Sequence, residues 1–394
     1  MPQRRTAQIP GVNVVGPLRA ESGVGEASRA VVAALDAARI PVLPVAPPGE
    51  SPSRQQVPFD TVPPADAAFP ITVLCLTALE TPGFAGAVGP GFFHGRHTIG
   101  LWWWEVEIFP EVMHGGFDHV DEVWAGSDHI AAAIGAAARA RDVATTRVQI
   151  PVRRAAPTTR SRADLGLPEG FVFLNVFGYY SSVARKNPHG AIEAFARAFA
   201  PGEGPSLVIK CIDHEAHPAE HAALLAAAER HPDVHVQAGY SDRDEMDALV
   251  QRSDAIVSLH RAEGFGFTPA EAMAQGKPVI ATRYSGNLDY MTSSNSLLID
   301  GPLVPVGPNG GPYPADARWA DPDLAAAAAA MRELVADPER AARVGLQARE
   351  DLARTHGAAA CGETMRAALS PYADRHRWAK ARLSAARLAR GRRP

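Results

Sequence analysis

The chain is poor in cysteine, has no long apolar run and carries no excess of positive charge. Its three cysteines, Cys75, Cys211 and Cys361, stand far apart in apolar surroundings, with no CxxC or Cys/His spacing. That pattern excludes a disulfide framework and a zinc ribbon, and makes a reducing cytoplasm the expected setting. No stretch approaches the ~18 apolar residues of a membrane span. The opening Met-Pro-Gln-Arg-Arg-Thr-Ala-Gln lacks the apolar core of a signal peptide. A formal net charge of −4 argues against a general nucleic-acid binder. What remains is an ordinary globular composition, 46% hydrophobic and 21% charged. At 394 residues it is too long for one ordinary domain and natural for two.

Strand and helix patterns alternate along the first half. Gly11–Val15 is a short buried strand, followed by a loop through Gly23 and Gly25 and a helix with Val24, Ala27, Val31, Ala34, Leu35 and Ala38 on one face. Strand, glycine loop and helix open a nucleotide-type α/β unit, although a tight turn explains the glycines equally well. Pro47 to Pro70 reads as a long surface loop. Ile71–Leu76, His97–Trp104 and Asp121–Ala125 are further strands, with a helix from Asp128 to about Ala138 and Val148-Gln149-Ile150-Pro151 closing the half. The run Trp102-Trp103-Trp104-Glu105 admits two readings. It is a packed strand between helical layers, or an aromatic wall with a carboxylate at the strand's ligand-facing end.

Arg153–Arg162 has no apolar periodicity and marks a boundary. Phe171–Phe177 restarts the pattern, and Arg185-Lys186-Asn187-Pro188 follows in the loop after it. Asn187 fits an N-cap and Pro188 the first helical position, with Ile192, Phe195, Ala196 and Phe199 as the buried face. The two cations are either a solvated basic turn or a phosphate site before a helix N-terminus. Leu207–Cys211, Val234–Gln237 and Ala255–Ser258 are strands, with helices near Ala219–Glu229 and Arg243–Arg252. Asp242-Arg243-Asp244 and Asp321-Pro322-Asp323 read as helix starts, so no metal site is expected. Gly301–Pro314 reads as a Gly/Pro-rich insertion. The acid-free basic segment Arg375–Arg393 reads as a solvated helix and frayed tail, with weak contact to anionic lipid as the alternative.

The stretch Glu263-Gly264-Phe265-Gly266-Phe267-Thr268-Pro269-Ala270-Glu271 holds the densest chemistry. Gly264 and Gly266 let a ligand approach the backbone, and Thr268, Pro269 and Glu271 fit an N-cap, first position and capping-box glutamate. Glu271 is thus a cap or a ligand, and one carboxylate can serve both. Glu263, between an apolar strand and a glycine turn, has no such bland explanation.

This Glu-x7-Glu stretch, with Arg185-Lys186-Asn187-Pro188, Gln275-Gly276-Lys277-Pro278 and Ser285-Gly286-Asn287-Leu288-Asp289-Tyr290, resembles the retaining glycosyltransferases of family 4. The resemblance is good over Phe171–Ile299 and fainter over Gly11–Pro151. It implies an α/β GT-B fold of two Rossmann-like domains facing across a cleft. Residues 1–155 would form the acceptor-side domain and residues 165–370 the nucleotide-sugar domain. Residues 371–394 would form a basic helix or tail returning to the first. It further implies Arg185 and Lys186 as a diphosphate clamp and Glu263 as the acid holding hydroxyls of the transferred sugar. Glu271 would take the ribose. Main-chain amides of Gly264, Phe265, Gly266 and Phe267 would meet sugar or phosphates, Tyr240 and Ser241 would lie near the base, and Gly23 and Gly25 would close on the phosphates. Many members carry a His-Asp pair where this chain has Trp103-Trp104-Glu105. Glu105 is then the candidate substitute, with Trp103 and Trp104 on the acceptor side.

The activity so implied is transfer of a sugar, with retention and without a metal or other cofactor, from a nucleotide-diphosphate donor to a saccharide or glycoconjugate hydroxyl. GDP-mannose is the donor suggested by the general resemblance, with other GDP-, UDP- and dTDP-sugars open. A sugar-nucleotide epimerase and a non-catalytic nucleotide- or glycan-binding protein are the rival readings. The expected location is cytoplasmic, at most peripheral to the membrane's inner face through the basic C-terminus.

Overall fold

Short β-branched runs alternating with amphipathic helices build two parallel sheets in the computed structural model, which describes residues 9–49 and 53–373. The first sheet is assembled from β1 (Val12–Val15), α1 (Gly23–Ala37), β2 (Val42–Val45), β3 (Ile71–Leu74), α2 (Thr81–Val88), α3 (Pro90–Phe93), β4 (His97–Trp102), β5 (Glu122–Ala125), α4 (Asp128–Arg139) and β6 (Ala144–Arg147). Its strand order is β2-β1-β3-β4-β5-β6, with every neighbouring pair parallel.

The second sheet follows from β7 (Val172–Gly178), α5 (Val183–Lys186), α6 (Pro188–Ala198), β8 (Ser206–Ile212), α7 (Pro218–Ala228), β9 (Val234–Ala238), α8 (Arg243–Arg252), β10 (Ala255–Ser258), α9 (Phe267–Ala274), β11 (Val279–Thr282) and β12 (Leu297–Ile299). It has the order β12-β11-β10-β7-β8-β9, again all parallel. A short antiparallel pair, β13 (Leu303–Pro305) with β14 (Arg318–Ala320), precedes α10 (Leu324–Ala336) and α11 (Pro338–Thr355). The last described helix, α12 (Ala358–Leu369), packs on α1.

The chain divides accordingly into two units. One runs to Trp103, adds Phe109–Pro151 and takes up the chain again from His356. The other comprises Trp104–Ile108 and Val152–Thr355. Local chemistry starts the helices where the sequence places them. Ser22 caps α1 by accepting from the Gly25 amide at 3.2 Å, and Ser127 caps α4. Asn187, left-handed at φ 53°, caps α6 through the Gly190 amide, with Pro188 at the first position. In the second unit Phe173, Phe195 and Phe199 interlock with Leu207, Ile209, Met331 and Leu334, and all seven are buried. Each such side chain contributes roughly 2 kcal/mol on leaving water.

Several boundaries differ from the sequence expectation. The last strand, β6, is Ala144–Arg147, ahead of the Val148–Pro151 segment that closes the half. It is an edge strand of threonine and arginine, so it lacks the apolar run that marks a buried one. β2, with Pro44 at its centre, was not foreseen; it lies at the opposite edge, where a missing N–H is tolerated. The boundary segment after Arg153 is not a free linker. Arg162 donates from Nη2 to Asp254 at 2.6 Å and from Nε to the Arg252 carbonyl at 3.0 Å, and Thr158 donates to Gln251 at 2.8 Å. The second domain does not extend to residue 370, because α12 belongs with the first unit. Gly362 makes that packing close: a Cβ there would lie 2.3 Å from the Ala34 carbonyl. Tyr372 then stacks on His97 and donates to Glu122 at 2.8 Å. The basic segment Arg375–Arg393 lies outside the described residues.

Candidate active site

The second sheet reverses its winding once. The chain steps from β7 out to β8 and β9, then returns to the other side of β7 as β10. Open α/β sheets bind ligands at such a reversal, beyond the carboxyl ends of the flanking strands. Here the loop leaving β7 carries Arg185 and Lys186, and the loop leaving β10 carries His260 and Glu263.

These side chains converge. Lys186 Nζ lies 2.5 Å from Glu263 Oε1, and Arg185 Nη1 lies 3.1 Å from Glu263 Oε2. Glu263 is only 6% exposed and Arg185 3%. Burial alone would raise the Glu263 carboxyl, but the Lys186 and Arg185 charges overcome it and hold the group at about 2. Burial lowers Lys186 below its ordinary range, while Glu263 opposes that shift. Burial would likewise lower Arg185, yet Glu263, Tyr313 and Glu105 raise it, so its guanidinium stays charged. Arg185 is largely committed to the protein: Nε donates to the Ser181 carbonyl at 3.1 Å and Nη1 to the Ala262 carbonyl at 2.8 Å. Lys186, 19% exposed against 4% for Arg185, is the cation a ligand can reach.

Glu263 is positioned through its own backbone. Its amide donates to Ser285 Oγ at 2.7 Å, and its carbonyl accepts from the Gly286 amide at 2.9 Å. Behind it, buried His260 lies 2.9 Å from Ser258 Oγ through Nδ1 and 3.2 Å from Asn287 Oδ1 through Nε2. Asn287 donates its amide to the Thr282 carbonyl, so its oxygen accepts from His260 Nε2–H and Nδ1 accepts from Ser258. That tautomer fits a ring that burial keeps neutral.

The residues foreseen in sequence are distributed unevenly. Arg185, Lys186, Glu263 and Glu105 are together: Glu105 Oε1 is 4.0 Å from Arg185 Nη2, and its Oε2 accepts from Tyr313 at 3.0 Å. The capping box at Thr268 is not formed. α9 starts earlier, at Phe267 after Gly266, because Gly266 takes a left-handed turn at φ 87° and Tyr290 donates to the Phe265 and Gly266 carbonyls. Glu271 is instead ion-paired with Arg243 of α8. Tyr240 donates to Asp213, and Ser241 lies beside it, before the Asp242 cap of α8. Trp104 does not form an open aromatic wall. It is 3% exposed, donates to the Ile108 carbonyl at 2.7 Å and packs against Tyr313. Trp103, Gly23 and Gly25 belong to the first unit. Trp103 packs where a Cβ on Gly126 would meet it at 2.8 Å, Gly25 uses its amide to complete the α1 cap, and Gly23 opens that helix with open space where a Cβ would sit.

Sequence reasoning missed His260, Tyr313, Ser285 and Arg243 as members of the site. His260 lies three residues before the Glu263–Glu271 stretch with no pattern of its own to mark it, and Tyr313 lies within the Gly/Pro-rich segment Gly301–Pro314. Backbone strain offers an independent pointer. Among the described non-glycine residues at positive φ, Arg39 and Asp142 merely follow helix ends, whereas Ser182, Asn187, Asp213 and Ser285 all lie beyond carboxyl ends of the second sheet. Strain of this kind clusters at functional sites. Among the described residues, no group of three His, Cys, Asp or Glu could hold a metal ion.

A family model described as "Family 4 Glycosyltransferase in conflict systems" matches residues 122–365. The D-inositol 3-phosphate glycosyltransferase of Arthrobacter sp. (strain FB24) is 27% identical over 248 residues, 60% of this chain and 52% of that one. The chain thus spans about half the length of this curated relative. Sucrose-phosphate synthase of Thermosynechococcus elongatus superposes with a TM-score of 0.63 at 17% identity, over 90% of this chain and 97% of that chain. HepE of Anabaena, solved with UDP and glucose, gives 0.64 at 13% identity, over 92% and 99%. At these identities the likeness is one of fold, and the fold is GT-B. The matched family model covers more than half of the sequence, and the chain belongs to the family 4 glycosyltransferases in conflict systems.

Proposed function

We propose that the chain transfers a sugar from a nucleotide-diphosphate donor to a hydroxyl of a saccharide or glycoconjugate acceptor, retaining configuration and needing no metal. The observation that carries this reading is the Lys186–Glu263–Arg185 cluster, with Glu263 and Arg185 buried and Lys186 partly open, at the reversal of a parallel sheet. Departure of the donor's diphosphate develops negative charge. Lys186 and the amino end of α9 supply positive potential there without the reorganisation that water would need. Arg185, already paired, holds Glu263 ionised, and Glu263 orients the hydroxyls of the transferred sugar. The acceptor hydroxyl attacks from the face that the diphosphate leaves, and a leaving phosphate oxygen takes its proton. Attack on that face returns the original configuration.

The test is incubation with a panel of GDP-, UDP- and dTDP-sugars, including GDP-mannose, with and without glycan acceptors, measuring diphosphate release. Acceptor-dependent release supports transfer. Acceptor-independent release of nucleotide and an altered sugar identifies an epimerase, and binding without release identifies a non-catalytic protein. Lys186→Ala is expected to lose most activity and donor affinity together. A near-normal rate for that variant at saturating donor overturns the clamp.

A further inference from the structure

Four adjacent strands of the second sheet end in loops that carry, in spatial order, Glu263 after β10, Lys186 after β7, Asp213 after β8 and Tyr240 after β9. The first two belong to the site already described. Asp213 has no part in it, and its geometry is unusual. Its backbone is left-handed at φ 66°, ψ 19°, a conformation that costs a side-chain-bearing residue energy. Tyr240 donates to Oδ1 and fixes the carboxylate. Oδ2 accepts no hydrogen bond among the described residues. It lies over the end of β7, 3.4 Å from where a Cβ on Gly178 would sit. Two residues past Gly178, the Tyr180 ring is 57% exposed and braced edge-on by His217 at 5.3 Å. A fixed carboxylate therefore stands one strand spacing, about 5 Å, from the loop that bears both the open Tyr180 ring and Lys186.

We propose that Asp213, oriented by Tyr240, reads the base of the donor nucleotide and selects guanine, with Tyr180 offering its ring for stacking. This rests on the nucleotide-sugar reading above. The selection follows from hydrogen-bond chemistry. An ionised carboxylate only accepts. Guanine presents two donors side by side, N1–H and the 2-amino group, which match the two oxygens. Uracil and thymine present one imide N–H flanked by carbonyl oxygens that repel a carboxylate. Adenine and cytosine pair a single amino group with a ring-nitrogen acceptor, which meets the same repulsion. A site built around such a pairing rejects bases that leave it unpaired. Aromatic stacking adds affinity for any base and more area for a purine.

The test uses the full chain and measures binding of GDP, UDP, dTDP, ADP and inorganic pyrophosphate by calorimetry. GDP is expected to bind at least about tenfold more tightly than the other nucleotides. Asp213→Asn replaces one acceptor by a donor and should erase most of that preference while leaving pyrophosphate affinity unchanged. Tyr240→Phe should erase part of it. Asp213→Gly should lose the preference yet melt no lower than the parent, because glycine relaxes the left-handed backbone; a merely structural aspartate would lower the melting temperature. Equal binding of all nucleotides, or a guanine preference that survives Asp213→Asn, overturns the assignment and leaves the donor reading standing. Failure of every nucleotide and of pyrophosphate to bind overturns both.

Discussion

Both sheets reverse their winding once, between β1 and β3 in the first unit and between β7 and β10 in the second. At the first reversal the space is filled by packing. Gly16 follows β1 directly, and a Cβ there would lie 2.4 Å from Ser28 Oγ of α1 and 3.1 Å from Cys75 Cβ. The helix thus closes on the strand ends, and burial pushes the Cys75 thiol up to about 12 despite its contact with Ser28, so it stays protonated and inert. At the second reversal the corresponding loops hold three charges and a neutral imidazole. Topology nominates a position in each unit, and the side chains decide whether it becomes chemistry or core.

The two reversals should differ most at Glu263. Glu263→Ala leaves Arg185 and Lys186 beside an uncompensated cavity, with an expected loss of about 3–5 kcal/mol in urea denaturation. Cys75→Ala at the first reversal should cost about 1–2 kcal/mol through a small cavity and leave nucleotide affinity unchanged. If the two variants are equally stable, the charged cluster is not coupled as its geometry implies.

The two reversals also differ in how they titrate. Glu263 is depressed from its ordinary value near 4.5 to about 2 in the folded protein. Its stabilisation is therefore complete above pH ~4.5 and is lost as pH falls through about 2, a change of roughly 3 kcal/mol. Glu263→Gln should flatten that part of the stability profile, measured as urea midpoints from pH 5 downward. On the alkaline side Lys186 is lowered, so donor affinity should begin to fall at a lower pH than an ordinary lysine would dictate. Lys186→Arg should remove that alkaline loss.

A smaller effect is expected at the turn between the two glutamates. Gly266 has φ 87°, and a Cβ there would lie 2.9 Å from the Tyr290 hydroxyl that ties down the Phe265 and Gly266 carbonyls. Gly266→Ala should cost about 1–3 kcal/mol and weaken pyrophosphate binding, because the amino end of α9 must shift. Retention of both stability and binding would show the turn to be adaptable.

Strands β1, β3 to β5 and β7 to β10 were legible as short apolar or alternating runs, α1 by its apolar face from Val24 to Ala38, and α6 by the Asn187 cap followed by Pro188. The edge strands β2 and β6 of the first sheet were not, since β2 contains Pro44 and β6 is mostly polar. In the site, Arg185, Lys186 and Glu263 were legible as motif residues, but their mutual pairing was not. It depends on β7 and β10 being neighbours, which distance along the chain conceals. Tyr313 reaches Glu105 across still more of the sequence, from a segment whose glycines and prolines announce only a loop. Glu271 shows the opposite failure: local pattern suggested a cap that the left-handed Gly266 forestalls.

The smallest expected effect on stability is at Glu271. Its partly exposed pairing with Arg243 is worth about 1 kcal/mol or less, so Glu271→Gln should barely move the urea midpoint. Its ligand role separates by probe. A carboxylate that binds ribose hydroxyls predicts weaker nucleoside diphosphate binding with pyrophosphate unaffected, because pyrophosphate has no ribose. A carboxylate that only positions Arg243 predicts that Glu271→Gln and Arg243→Ala shift both probes alike, with the double variant no worse than either single one. The first result extends the ligand-facing rim from Glu263 along α9. The second confines it to the loops at the reversal of the sheet, where Lys186 and Glu263 already meet.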